Sequence, residues 1–315
     1  CALPICGSDT RVFEEVTRVG ESLELIKEIA GTQVDAKVAV LFDWENRWAL
    51  EDAQGPRNQG LYYKESVEKS YYAFRKLGLD VDVIDMEQEL EPYTIVAIPM
   101  LYMFRAGFEK KLQAFVENGG IAIMTYWSGI VDNTDLCYLG GTPHGLMDVF
   151  GLRSTEIDAL YDWENNVSIP IEGNSLGLNG QWNCKNLCDI VKVSTAEVLS
   201  VYGEDFYEGM PTITKNQYGK GFAYYVCADF EQGFYDEVIS KIVALTNIEK
   251  PVEVIPNGVE VTTRKSEKNE YIFIQNYNNH EVDIKIEFEN AEIILGEYSE
   301  EKMQKFQTIV MKKTK

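Results

Sequence analysis

The residues able to act as nucleophile, base or metal ligand are few and scattered. Histidine occurs twice in 315 residues, at His144 and His280, so a mechanism built on an imidazole base has two places to be built. Cys137 lies upstream of His144 in a glycine-rich stretch. A working Cys–His pair needs the thiol on a tight strand-to-helix elbow, with the base and an acid in reach. The apolar run 121–125 enters such a turn, but the turn reads Tyr126, Trp127, Ser128, Gly129 and carries no cysteine. Ser128 sits in YWSG rather than G-x-S-x-G, which disfavours a hydrolase elbow. His280 falls in a predicted turn and is expected to be exposed. Of the six cysteines, Cys1, Cys6, Cys137, Cys184, Cys188 and Cys227, none forms a C-x-x-C pair, and no histidine lies near Cys184 and Cys188. No metal site is expected. Dispersed thiols in a chain of this length read as reduced and cytoplasmic. Gly119-Gly120 precedes a strand, Gly140-Gly141 is not followed by Lys-Ser or Lys-Thr, and no G-x-G-x-x-G occurs, so no nucleotide cofactor is expected. The 51 aspartates and glutamates produce carboxylate pairs by chance, and no acid/base pair stands out. The chain therefore holds no complete catalytic constellation.

The densest polar and aromatic cluster is Asp43, Trp44, Glu45, Asn46 and Trp48. It follows Val38, Ala39, Val40, Leu41 and Phe42, a continuous apolar run that suits a strand buried on both faces of a parallel sheet. In open α/β sheets, binding sites lie just beyond the carboxyl ends of the strands. The cluster is thus the candidate for function. The competing reading is a well-packed loop whose tryptophans close the core.

The formal charge of −22 argues against nucleic acid or an anionic membrane surface as partner. No run reaches 18 apolar residues, so no membrane span is expected. The length favours two domains.

Around the cluster, strand and helix alternate from residue 36 to about 152. Strands are predicted over 38–42, 81–84, 94–98 and 121–125, with helices over 64–77 and 108–117. A first helix over 11–29, capped by Asp9 or Thr10, carries apolar residues at Val12, Phe13, Val16, Val19, Leu23, Ile26 and Ile29 and needs a surface to lie on. That surface is expected in a domain beyond this chain, whose start, Cys1 rather than Met, looks cut. Residues 54–60 read as a long loop and 151–190 as short strands and loops. Strands follow over 197–202, 211–215 and 221–227, with a hairpin turn at 218–221, then a helix over 236–246. Pro251 and Pro256 mark a linker to a small all-β module with strands over 259–263, 271–276, 282–288, 292–295 and 308–311. The fold class is α/β, with a mostly parallel sheet flanked by helices, followed by a small antiparallel domain.

Five ordered stretches resemble the non-catalytic part of family 42 glycoside hydrolases, the bacterial β-galactosidases. They are DTRVFEEV from Asp9, VAVLFDWENRWALE from Val38, ENGGIAIMTYWSGIVDNTDLCYLGGTPHGLMDVFGL from Glu117, VYGEDFYEGMPTITKNQYGKGFAYYV from Val201, and NGVEVTTR from Asn257. The resemblance implies an upstream (β/α)₈ barrel holding both catalytic glutamates. It assigns residues 1–35 to the tail of the barrel region and a connecting helix, 36–250 to an amidotransferase-like (flavodoxin-like) trimerisation domain, and 251–315 to a C-terminal β domain. It implies retaining hydrolysis of terminal β-D-galactosides by the full-length protein, with no catalytic, cofactor or metal residue in this portion. It also implies a homotrimer built by the middle domain. The candidate interface is Trp44, Arg47, Trp48, Tyr62 and Tyr63, with Leu50 close by, because aromatics and arginine are enriched at interface centres. Two further readings stay open: a stand-alone amidotransferase-like enzyme, and a carbohydrate-binding or scaffold protein.

Overall fold

The computed structural model describes residues 7–57, 61–286 and 290–314. The tail expected ahead of Gly7 and the end of the predicted 282–288 strand, Phe288 included, lie outside the described residues, as do residues 58–60 of the predicted loop. The chain forms two compact units. The larger holds Ala36–Arg75 and Val81–Glu249; the smaller holds the residues up to Asp35, Lys76–Asp80, and those from Lys250 onward. Elements are numbered in chain order.

Helix α1 (Arg11–Leu25) opens at Thr10, whose hydroxyl accepts the Phe13 N–H at 3.3 Å. It ends four residues earlier than its apolar spacing predicts, and a 3₁₀ turn over Lys27–Ile29 follows. None of its side chains is buried, so the stripe of Val12, Val16, Val19 and Leu23 lies open.

The larger unit begins with β1 (Val38–Leu41), α2 (Trp44–Asp52), α3 (Tyr63–Arg75), β2 (Val81–Ile84), β3 (Ile95–Ile98), α4 (Phe108–Glu117) and β4 (Ile121–Thr125). It continues with α5 (Met147–Phe150), β5 (Leu152–Ala159), β6 (Asn166–Pro170), β7 (Trp182–Val193), β8 (Glu197–Tyr202), β9 (Pro211–Tyr218), β10 (Gly221–Val226), β11 (Ala228–Phe230) and α6 (Gln232–Ala244). One sheet takes all eleven strands in the order β11-β7-β6-β8-β9-β10-β4-β3-β1-β2, with β5 also paired to β7. The pairings β2–β1, β1–β3, β3–β4 and β4–β10 are parallel. Every residue of β1, β3 and β4 is buried, as their unbroken apolar runs require.

The expected mostly parallel sheet needs correction. The pairings of β9, β8, β6, β7, β5 and β11 are all antiparallel and outnumber the parallel ones. The sheet is mixed. Strands β8 and β9 fall where they were predicted, whereas β5, β6 and β7 were faint in sequence: β5 alternates irregularly, with a register shift between Ser154 and Glu156. The hairpin that joins the halves follows its prediction. Tyr218 pairs with Gly221 across a two-residue turn, and Gly219 adopts φ 57°. A Cβ on Gly221 would lie 2.2 Å from the Gly120 carbonyl oxygen, so only glycine admits this backbone approach.

In the smaller unit, β12 (Val259–Lys265), β13 (Asn269–Asn276), β17 (Thr308–Thr314) and β15 (Ala291–Leu295) form an antiparallel sheet in that order. A second ladder joins β14 (Val282–Asp283) to β16 (Lys302–Met303). The long strand expected from Val282 is thus two residues in extent, although Ile284 still enters the core. One face of the sheet packs Val261, Ile272, Ile274 and Ile309 together; Tyr271 and Val310 on the other cover Ile29. Asp80 belongs to this unit: its carboxylate accepts the Thr263 N–H and hydroxyl.

Candidate functional site

The cluster after β1 is a helix, α2, not the loop expected there. Asp43 makes the difference. Its backbone is extended, and its Oδ1 accepts the N–H groups of Glu45 and Asn46 at 2.9 and 3.1 Å, capping the helix at the strand's end. A capping aspartate directly after an apolar run is the sequence signal for this helix.

The residues of α2 divide into two sets. Asp43 and Asn46 are fully buried. The Asn46 amide donates to the Met100 carbonyl and its oxygen accepts the Met103 N–H, tying α2 to the segment after β3. Leu50 and Tyr63 are buried as well. The Tyr63 hydroxyl accepts the Asp43 N–H at 3.0 Å, its ring stacks on Phe42, and burial pushes its phenol well above the usual value. Tyr63 therefore leaves the candidate interface: the α3 spacing that turns Val67 and Phe74 inward also turns it inward.

The second set faces solvent. Trp44, Trp48 and Tyr62 are 55%, 60% and 60% exposed. Trp44 meets Phe42 edge-on at 5.1 Å, Trp48 lies 6.3 Å from Trp44, and the Arg47 guanidinium sits 5.3 Å over the Trp44 ring. Arg47 Nε also donates to Glu51 at 2.8 Å. Tryptophans so exposed contribute little to the core, which counters the packing reading for Trp44 and Trp48.

Beside this cluster opens a crevice of about 480 Å³, lined by Glu45, Glu87, Arg105, Phe108, Lys111 and Asn133. Arg105 Nε lies 3.2 Å from Asp43 Oδ2 and 3.3 Å from Glu45 Oε2, and its Nη1 donates to Glu87 at 2.6 Å. The Asp43 contact is electrostatic rather than aligned, since neither atom completes a hydrogen bond. Lys111 Nζ donates to the carbonyls of Met86, Glu87 and Gln88. Both cations are committed within the subunit. The crevice is a polar seam that fixes the loops after β1, β2 and β3, not an anion site.

The dispersed chemistry stays dispersed. Trp127 occupies the turn after β4 with φ 56°, stacked on Tyr102. Ser128 is fully buried; its hydroxyl donates to the Thr125 carbonyl and accepts the Leu101 N–H. Cys137 is exposed, while the His144 ring lies against Tyr138. Cys184 and Cys188 are buried with sulfurs 3.9 Å apart, and the contact with Cys188, then burial, push the Cys184 thiol up. Among the described residues no cluster of three His, Cys, Asp or Glu is placed to hold a metal ion, and no helix is long and apolar enough to cross a membrane.

Sequence reasoning missed Asp189 on β7. It is buried, and among the described residues no cation is paired with it. Its Oδ2 accepts the Tyr225 hydroxyl at 2.7 Å and the Trp127 N–H at 3.3 Å, while Oδ1 has no hydrogen-bond partner. Desolvation pushes its carboxyl up to about 7, against the pull of those two donors. An acid inside the apolar run from Leu187 to Val191 was the available signal.

Comparison with known proteins places this geometry. A family model described as the β-galactosidase trimerisation domain matches residues 36–249, and one described as the β-galactosidase C-terminal domain matches residues 258–312. The β-galactosidase BglY of Alicyclobacillus acidocaldarius is 46% identical over 271 residues, covering 86% of this chain and 39% of that protein. The β-galactosidase Pbg of Clostridium perfringens is 42% identical over 303 residues, covering 95% of this chain and 44% of that protein. The crystal structure of a cold-adapted β-galactosidase from a Rahnella species superposes with a TM-score of 0.90 at 39% identity, covering 97% of this chain and 45% of that one. That of a Bacillus circulans β-galactosidase gives 0.92 at 32% identity, covering 98% and 46%. The chain thus spans less than half the length of these relatives.

Proposed function

Since the chain belongs to glycoside hydrolase family 42, the β-galactosidases, we propose that it is the non-catalytic C-terminal portion of an enzyme that hydrolyses terminal β-D-galactosides with retention, and that its larger unit assembles a homotrimer. The observation that carries the reading is the trimerisation-domain match over residues 36–249, most of this chain. The chemistry in hand agrees with a supporting role: the buried polar groups around the crevice are engaged in holding loops, while Trp44, Arg47, Trp48 and Tyr62 present an aromatic surface to solvent. In this reading residues 1–35 connect to an upstream barrel, 36–250 form the trimerisation domain and 251–315 the C-terminal domain. The strand order β2-β1-β3-β4-β10 supports an amidotransferase-like, flavodoxin-like origin for the parallel half. Trp127 at the turn after β4 leaves no thiol there for an amidotransferase reaction. The exposed and buried free thiols suit a reducing, cytoplasmic setting.

Light scattering across protein concentration tests the assembly. The expected mass is three chains for the wild type, shifting towards the monomer in Trp48→Ala. A wild-type chain that stays monomeric at high concentration and moderate salt overturns the trimer. An unaltered trimer in Trp48→Ala removes the anchor.

A further inference from the structure

We infer that Cys184 and Cys188 are a modification site: in the folded chain they close to a reversible disulfide when they meet a peroxide. The inference is independent of the trimer reading and rests on how β7 bends between them.

Both are thiols in this structure, buried, with sulfurs 3.9 Å apart. Four residues of regular strand span about 13 Å, too far for two thiols to touch. A bulge removes the excess. Against β11, Cys184 lies opposite Phe230, Lys185 opposite Asp229 and Cys188 opposite Ala228. Asn186 and Leu187 are the surplus, and Asn186 takes φ 64° between the two cysteines. The cysteines therefore face strand partners only two residues apart. Their backbone separation contracts to about 6.8 Å, and both side chains fall on one face. That spacing meets the upper end of the Cα range that disulfides accept, about 4.4–6.8 Å.

The bulge is held from both sides. Here β7 changes partner, pairing with β6 as far as Cys184 and with β5 from Leu187 onward. The Leu160 N–H donates to the Asn186 carbonyl, and the Asn186 amide donates to Asp229 Oδ2 at 2.6 Å. The thiols are thus positioned by the fold, and the bond needs the sulfurs to close from 3.9 Å to about 2.0 Å.

One hydrogen peroxide balances one pair. A thiolate attacks a peroxide oxygen and the O–O bond breaks. The departing hydroxide takes the thiol proton as water, and a sulfenic acid remains. The second thiol attacks that sulfur, the S–O bond breaks, and its proton leaves with the hydroxyl as a second water. The two sulfurs lose two electrons and the peroxide gains them. The second step is fast, because the resolving thiol is already in contact. The first is slow, because the contact with Cys188, then burial, push the Cys184 thiol up and keep it protonated. Access comes through β11, a three-residue strand at the edge of the sheet whose ladder covers both cysteines. The ring that closes is short, so stability changes little and the readout is chemical.

The test exposes the folded 315-residue chain to hydrogen peroxide well below its melting temperature. Remaining thiols are then blocked in denaturant and tryptic peptides are mapped by mass. Trypsin cuts after Lys185, between the two cysteines, so the flanking peptides stay together only through the disulfide. The expected product is that linked pair, two hydrogens lighter than the free peptides together. It should be at least tenfold more abundant than any other cysteine pairing, and dithiothreitol should release it. Cys184→Ala and Cys188→Ala should each abolish it while the exposed Cys137 oxidises as in the wild type. Both thiols surviving in the wild type after Cys137 is fully oxidised overturns the inference. So does a link that forms only above the melting temperature, or a more abundant pairing of either cysteine with Cys227.

Discussion

Arg105 Nε lies 3.2 Å from the fully buried Oδ2 of Asp43. The contact joins the end of β1 to the segment after β3, and the same guanidinium reaches Glu45 and Glu87. Asp43 has two tasks: Oδ1 caps α2, and Oδ2 rests on the arginine. The placement of the tryptophans therefore depends on a charge that the rest of the core does not balance.

Arg105→Met should leave that carboxylate buried without its cation. Breaking a buried pair costs about 3–5 kcal/mol, and partial exposure of Arg105 lowers the expected loss to about 2–3 kcal/mol. For a unit of this size that is a fall in Tm of about 5–10 °C. Asp43→Asn added to Arg105→Met keeps the cap without the charge and should recover part of the loss. Calorimetry on Arg105→Met, Asp43→Asn and the double variant measures the coupling; additive losses would refute it.

Asp189 gives the fold a pH dependence of known sign. Its folded-state carboxyl is pushed up to about 7, whereas an unfolded aspartate titrates near 3.9. The folded chain therefore holds a proton that the unfolded chain releases between these values. Stability from this group falls as pH rises through that window, and the penalty is complete above pH 7. The shift corresponds to at most about 4 kcal/mol. Asp189→Asn keeps an acceptor for Tyr225 and Trp127 and carries no charge, so it should match or exceed the wild type at pH 8 and lose that gain below pH 4. The relief of net negative charge on acidification affects both proteins alike, so the difference between their urea midpoints is the readout. Parallel midpoints across pH 4–8 would refute the assignment.

The buried parallel strands were legible because continuous apolar runs such as those of β1, β3 and β4 admit little else. The β9–β10 turn was legible because its glycines have one plausible use. Three features were not. Helix α2 hides its period because exposed tryptophans break the pattern that usually marks a helix's buried stripe, leaving only Asp43 as a signal. The inward turn of Tyr63 beside the outward Tyr62 depends on where α3 begins, and boundaries are the least determined part of a periodic pattern. The antiparallel direction of the second half depends on which strands pair, and β5, β6 and β7 carry too irregular a burial pattern for local residue types to specify it. At the site, the aromatic surface was visible as composition; its division into a buried clamp and an exposed face required the fold.

Helix α1 should be loosely held in the isolated chain. A helix of 15 residues with no buried side chain lacks the tertiary packing on which most helical stability rests, and its ion pairs, such as Arg11–Glu15, are exposed. Amide exchange within Arg11–Leu25 is expected to be at least a hundredfold faster than in the fully buried β3 and β4. Equal protection would show that the helix has found a partner in the isolated chain.

The isolated chain should not turn over a chromogenic β-galactoside. The two carboxylates of a retaining glycosidase act from opposite sides of one sugar, whereas here the acids around the crevice are engaged by Arg105 and Asp189 is sealed from solvent. Turnover that follows the chain through several purification steps, and survives Glu45→Gln and Glu87→Gln separately, would place catalysis elsewhere in it. Loss of that turnover in either variant would locate it in the crevice.

Salt should strengthen the proposed trimer. Each copy carries a net charge of −22, so three copies repel. Against this stands apolar burial at the proposed interface, which moderate salt leaves nearly unchanged. Screening therefore removes more of the unfavourable part than of the favourable one. The Debye length falls from about 30 Å at 0.01 M to about 8 Å at 0.15 M salt, which spans the distances between surface charges on neighbouring copies. The dissociation midpoint should therefore fall between these conditions, by an expected three- to tenfold. Sedimentation at both salt concentrations reads the midpoint, and a trimer that weakens with salt would mean that ion contacts between copies outweigh the global charge.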